Sequence, residues 1–262
     1  MIKQSTGDNG WVVRTSAKEN ARLRIICFAH AGGGSSAFAG WSQNLPQNVE
    51  VCAVRLPGRE ARILQQPYAD VDKLMPSLTE ALIDCCTPPF VLFGHSMGAL
   101  IAFEYARRLR EAGGAVPDHL VVSGRMAPQL IHNRPIIHDL PDAELLECLK
   151  ELGGTPEDLL TDAHSMRLFM PGLRADFQLN ETYAYRPEAP LDIPVTVFGG
   201  RSDPYVDAAG LSAWASQTSV PLTLRMFDGG HFFLHSAREE FLGELSRVLR
   251  RVTDPAAETV AS

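Results

Sequence analysis

No stretch of this sequence carries the roughly 20 consecutive apolar residues that a membrane-spanning helix needs. The opening residues, MIKQSTGDNGWVV, contain no apolar core of a secretory signal. Cysteine is sparse and odd in number: Cys27, Cys52, Cys85, Cys86 and Cys148, with no C-x-x-C spacing. That argues against a disulfide framework and predicts small buried hydrophobes in a reducing, cytoplasmic setting. Basic residues are outnumbered, 24 Lys+Arg against 31 Asp+Glu, for a net charge of -7. A nucleic-acid binder usually shows a basic balance or stripe, so that partner class is not expected. No H-E-x-x-H or Cys/His pattern points to a metal, and no Gly-Lys-Ser/Thr completes a P-loop. The sequence therefore predicts no cofactor, no nucleic acid and no membrane association.

What is present is ordinary globular composition, 45% apolar and 21% charged over 262 residues. That length suits one large α/β domain spanning 1–262. Short apolar, β-branched runs at 22–28, 49–56, 90–93, 119–123, 195–198 and 222–227 read as buried strands. Helical patterns at 71–85, 97–112, 208–217 and 236–252 separate them. This alternation predicts a mostly parallel central sheet flanked by helices, with right-handed crossovers. Residues 128–190 break the pattern with no good strand. An acidic first turn opens a helix near Leu140, Gly153-Gly154 stops it, and Thr155-Pro156-Glu157-Asp158 reads as the next N-cap. A helical insertion of this length suggests a lid over a site. The small, polar tail 254–262 is predicted to be disordered.

The segment that can do chemistry is Gly94-His95-Ser96-Met97-Gly98, after the run Phe90–Phe93 and at the start of a helical pattern. G-x-S-x-G alone is a weak signal. Placed between strand and helix, it matches a nucleophile elbow, a sharp turn that presents the serine hydroxyl. A serine needs a base, and the base an orienting acid, in the chain order Ser, acid, His for this type of sheet. Asp203 follows the strand at 195–198, and His231 follows the strand at 222–227. Both loops fall at the strand C-terminal edge, where Ser96 is expected. Asp207, Asp228 and His235 are nearby rivals. Two backbone donors for a tetrahedral oxyanion are predicted, the Met97 amide and the Ala31 amide of the loop Phe28-Ala29-His30-Ala31-Gly32-Gly33-Gly34. Gly32-Gly33-Gly34-Ser35-Ser36-Ala37 also satisfies G-x-G-x-x-A, with Arg55 after the next strand. A dinucleotide-binding oxidoreductase must therefore be weighed, though it leaves the three chemical residues unexplained.

Several motifs together carry a family resemblance: Cys27-Phe28-Ala29-His30-Ala31-Gly32-Gly33, Arg55-Leu56-Pro57-Gly58-Arg59-Glu60 and Gly94-His95-Ser96-Met97-Gly98-Ala99. To these add Ser123-Gly124-Arg125, Leu152-Gly153-Gly154-Thr155-Pro156, Leu173-Arg174-Ala175-Asp176, Gly199–Pro204 and Gly229–Phe233. The chain resembles the type II thioesterases, stand-alone α/β-hydrolases that work beside polyketide and nonribosomal peptide synthases. The match runs from about Ile25 to Val248. Ala29 departs from it, where the family commonly has Pro. The resemblance implies an α/β-hydrolase fold with a helical lid. It implies hydrolysis of stalled or aberrant acyl groups from the phosphopantetheine arm of an acyl or peptidyl carrier protein. A monomer without metal is expected. Ser96 would be acylated, His231 would shuttle protons and Asp203 would fix the imidazole. Arg59 and Glu60 acquire no chemical role from it and are expected to form structural salt links. The residues alone stop at a serine hydrolase of acyl compounds, and a general carboxylesterase or acyltransferase is the alternative. Arg107, Arg108 and Arg110, and Arg247, Arg250 and Arg251, are candidate basic patches for docking an acidic partner.

Overall fold

The apolar runs pair into one seven-stranded sheet in a computed structural model, which describes residues 10–14, 21–87, 89–130, 135–154 and 160–254. The strands are β1 (Val12–Arg14), β2 (Leu23–Phe28), β3 (Val49–Val54), β4 (Phe90–His95), β5 (His119–Ser123), β6 (Val195–Gly200) and β7 (Thr223–Phe227). Their order is β1-β3-β2-β4-β5-β6-β7. All neighbours are parallel except β1, which runs antiparallel to β3. Strands β3 to β5 are buried along their length, as a parallel sheet covered on both faces requires. The short edge strand β1 has no counterpart in the sequence reading, because three half-exposed residues make no recognisable run.

Side chains alternate between two apolar clusters. Ile26, Phe28, Leu92 and Val122 face helices α1 (Val71–Leu82) and α2 (Met97–Glu111). Ile25, Cys27, Val91 and Phe93 face Trp41 and the last helix, α5 (Arg238–Thr253). Helix α1 buries Val71, Leu74, Met75, Leu78 and Leu82, one stripe at helical spacing. The predicted helix at 208–217 divides into an α-turn, Ala208–Ser212, and a 3-10 turn, Ala213–Gln217. All five cysteines are free.

Between β5 and β6 the described residues contain helices and no strand. Helix α3 (Asp142–Leu152) ends at Gly153, whose φ of 71° is the left-handed conformation glycine adopts without cost. Helix α4 (Ala163–Glu181) starts at Asp162, whose side chain accepts the His164 and Ser165 amides. The insertion has its own small core of Leu145, Leu149, Leu160, Met166, Met170 and Leu173. The N-cap signal at 155–158 and all but the first residue of the tail lie outside the described residues. Among the described residues no helix is long and apolar enough to cross a membrane.

Candidate active site

Ser96 sits at the turn from β4 into α2 with φ 56° and ψ -115°, a backbone conformation that costs a non-glycine residue energy. The turn is possible because its flanks are glycines. A Cβ on Gly94 would lie 2.0 Å from the Gly98 carbonyl oxygen, and one on Gly98 would lie 2.1 Å from that of Phe28. The Ser96 amide donates to the Ser123 carbonyl at 2.8 Å, which ties the elbow to β5. The serine is thus held by packing of backbone on backbone.

Asp203 and His231 arrive on the loops after β6 and β7, laced together by backbone bonds from Arg201 to Phe227 and from Ser202 to Gly229. His231 Nε2 lies 3.0 Å from Ser96 Oγ, and its Nδ1 lies 2.7 Å from Asp203 Oδ2. The ionised carboxylate only accepts, so Nδ1 carries the proton and Nε2 is free to take one from the serine. The Asp203 side chain is fully buried, and its second oxygen accepts the Tyr205 amide at 2.9 Å. The rivals are occupied elsewhere. Asp207 caps the helix Ala208–Ser212, Asp228 is exposed and pairs with Arg201, and His235 belongs to the short helix Phe233–Ser236.

Ser96, His231, Ala31 and Met97 line one small cleft, together with His30, Phe232 and, from the insertion, Leu149, Leu152, Gly154, Phe177 and Asn180. A cavity of about 410 Å³ adjoins it, walled by Ile136, Ile137, Cys148, Glu151 and Tyr205 and sharing Leu152, Phe177 and Asn180 with the cleft. Sequence analysis gives His30 and His95 no chemical role. The structure brings both to the site, where the His95 ring lies 5.1 Å from that of His231 and 6.1 Å from that of His30. Burial, then the neighbouring imidazoles, pushes His30 down to about 4 and His95 well below the usual histidine range. Both therefore stay neutral beside the Ser96–His231 pair. Their position next to Ser96 and Ala31 in the chain was the available signal.

Two carboxylates from outside the glycine loop hold it in place. The Gly32 amide donates to Asp176 Oδ2 at 2.7 Å, and the Ser36 amide donates to Glu60 Oε1 at 2.9 Å. The Ser35 hydroxyl donates to the same Glu60 carboxylate, which also pairs with Arg55 at 2.8 Å. Although burial opposes it, these bonds carry the Glu60 carboxyl down to about 2. Two carboxylates thus occupy the place where a dinucleotide pyrophosphate would need donors, and Arg55 is already paired. That geometry opposes the oxidoreductase reading. Arg59 and Glu60 do form salt links, with Asp176 and Arg55 respectively. Four of the six arginines considered for docking are engaged in ion pairs within the chain. Arg107 pairs with Glu104 and Glu188, Arg108 with Asp72 and Glu111, Arg110 with Glu188, and Arg247 with Glu244. Internal ion pairs neutralise that helix face, so it offers no simple basic patch.

Comparison with known proteins agrees with this geometry. The thioesterase domain family matches residues 23–249. The gramicidin S biosynthesis protein GrsT of Aneurinibacillus migulanus is 40% identical over 247 residues, covering 94% of this chain and 96% of that one. A relative from Brevibacillus parabrevis, named linear gramicidin dehydrogenase LgrE, is 38% identical over 253 residues, 95% of this chain and 96% of that one. The structure of the type II thioesterase BorB from the borrelidin biosynthetic cluster superposes with a TM-score of 0.86 at 36% identity, covering 94% of this chain and all of that one.

Proposed function

We propose that this chain, which belongs to the thioesterase domain family and is a hydrolase of acyl thioesters, removes aberrant or stalled acyl units from the phosphopantetheine arm of a carrier protein in a polyketide or nonribosomal peptide synthase. The observation that carries this reading is the Ser96–His231–Asp203 relay, opening into a cleft walled by the insertion.

On this reading His231 Nε2 takes the Ser96 proton as Oγ attacks the thioester carbonyl carbon. The Oγ–C bond forms, and the carbonyl oxygen becomes an oxyanion facing the Met97 and Ala31 amides. Among the described residues, neither amide has a hydrogen-bond partner. Collapse breaks the C–S bond, and His231 returns the proton to the departing thiolate. Water then repeats the sequence on the acyl-serine and releases the acid. Asp203 holds the imidazole in the required tautomer and stabilises the imidazolium. Helices α3 and α4 act as the lid, and the 410 Å³ cavity takes the acyl chain.

The test compares one short acyl group on a phosphopantetheinyl carrier protein, on N-acetylcysteamine and as an oxygen ester. A clear kcat/KM advantage for the carrier-bound thioester is expected. Equal or better rates on the oxygen ester would overturn the proposal in favour of a general esterase.

A further inference from the structure

Arg59 and Asp176 lie 117 residues apart in the chain and meet as a nearly dry ion pair, 2.6 Å apart, with side chains 6% and 3% exposed. Neither is hydrogen-bonded to Ser96, Asp203 or His231. Each instead bonds to the backbone immediately after Ala31. Asp176 accepts the Gly32 amide, and Arg59 donates to the Gly33 carbonyl at 2.7 Å. The Gly33 amide in turn donates to the His30 carbonyl at 2.9 Å. That carbonyl belongs to the same rigid peptide plane as the Ala31 N–H. The peptide planes from His30 to Gly33 are therefore held by this one ion pair and the turn it closes.

The pair also spans two parts of the fold. Arg59 comes from the loop after β3, and Asp176 from α4 of the insertion. Helix and loops are seated closely there. A Cβ on Gly32 would lie 2.5 Å from Leu173 Cδ2, and one on Gly172 would lie 2.6 Å from the Gly58 carbonyl oxygen. Beside Arg59, Glu60 adopts φ 48° while bonding Ser35 and Ser36 at the far end of the glycine loop. A strained residue at that point shows how firmly the surroundings fix the loop. A buried ion pair is weak evidence for stability, because desolvation offsets the attraction. A geometric role explains why the pair ends on two backbone groups next to Ala31.

We propose that Arg59 and Asp176 are positioning residues, which aim the Ala31 amide at the oxyanion and make that aim depend on the seat of helix α4. This deepens the acyl-transfer reading above and rests on it. Misplacing a preorganised donor lowers kcat more than it weakens ground-state binding.

The experiment uses the full chain, an acyl-N-acetylcysteamine thioester and two inhibitors of the same chain length, a trifluoromethyl ketone and a methyl ketone. Only the first readily forms an oxyanionic adduct with a serine. The double variant Arg59→Met/Asp176→Leu replaces the pair by apolar groups of similar size and is expected to fold, as judged by Tm. Its kcat should fall about 10- to 100-fold with KM within threefold, and its preference for the trifluoromethyl ketone should shrink by a similar factor. Asp176→Asn keeps the shape and one acceptor, so about a tenfold loss is expected on both readouts. A folded double variant with kcat within threefold of the parent and an unchanged inhibitor preference overturns the proposal. If the double variant does not fold, Asp176→Asn decides by the same two readouts. A parent enzyme with no preference for the trifluoromethyl ketone overturns the acyl-transfer reading itself, a distinguishable failure.

Discussion

Strand β4 and helix α4 both reach the site, but they are held there by different means. Every residue of β4 is buried between β2 and β5, and its continuation into α2 leaves no room for a single added methyl at Gly94 or Gly98. Helix α4 rests on a six-residue apolar cluster of its own. It meets the body's core through Leu179 and packs on the loops at Gly32 and Gly58. Its other anchors are polar: Asp176 to Arg59, Asn180 to Arg125, Arg174 to Asp142 and the His138 carbonyl, and Glu181 to the Ile137 and His138 amides. Close packing has essentially one solution, and polar anchors break one at a time at lower free energy. The sheet body fixes the chemistry, and the insertion sets what surrounds it.

The sharpest test of that division removes the proposed nucleophile, Ser96. Ser96→Ala should abolish nearly all turnover, a loss on the order of 10⁵–10⁶-fold by analogy with other triads. It deletes one oxygen without touching the packing, so Tm should move little. Labelling by a fluorophosphonate should disappear in parallel. Retention of a tenth of the activity would remove Ser96 from the mechanism.

A second substitution should divide the two regions by stability. Leu145 is fully buried in the insertion's cluster, as Leu92 is in the sheet. Leu→Ala at either site costs about 2–5 kcal/mol. The consequences should differ. Leu92→Ala lowers the global Tm, because β4 is common to both large clusters. Leu145→Ala should raise hydrogen exchange across α3 and α4 while the sheet amides stay protected, and should change KM more than the acylation rate. Uniform loss of protection across both regions would show that the insertion and body unfold as one unit.

The same division decides what was legible in the sequence. Strands β2 to β6 stand out because a parallel sheet covered on both faces demands apolar runs, and the edge strand β7 by its alternation of apolar and polar residues. Ser96, Asp203 and His231 stand out because each follows one of those runs. The elbow's glycines were also readable, since only backbone can pass where their hydrogens sit. The insertion was harder. Helix α3 announced itself by its acidic first turn and Gly153, but α4 carries Pro171 in its middle, which interrupts the helical pattern. Its cap at Asp162 was visible in principle. The Arg59–Asp176 contact was not, because no local spacing rule joins residues that far apart. The ion pairs that join Arg107, Arg108 and Arg110 to Glu188 and Asp72 were equally hidden, because those partners lie on other segments.

The smallest expected effect lies where the two regions touch. His30 belongs to the body's glycine loop, yet it packs edge-on to Phe232 at 5.0 Å and bonds the backbone of Gly154 in the insertion. Around it stand His235, His231 and Arg59. Burial and these neighbours lower it from 6.5 to about 4 in the folded chain. The fold therefore favours the neutral ring. This contribution is fully present above pH 6.5 and is lost as pH falls toward 4, where the unfolded chain binds the proton more readily. Between pH 7 and 4.5 the loss should reach about 2 kcal/mol. His30→Gln removes the titration, so its Tm should fall less steeply over that window. The slope should not vanish, because His95 and His119 are lowered by burial too. Glu60 works in a separate window, losing its contribution only as pH drops from 4.5 toward 2. Identical slopes for parent and His30→Gln between pH 6.5 and 4.5 would mean that the insertion leaves His30 accessible to water, and that its seat on the body is looser than its polar anchors imply.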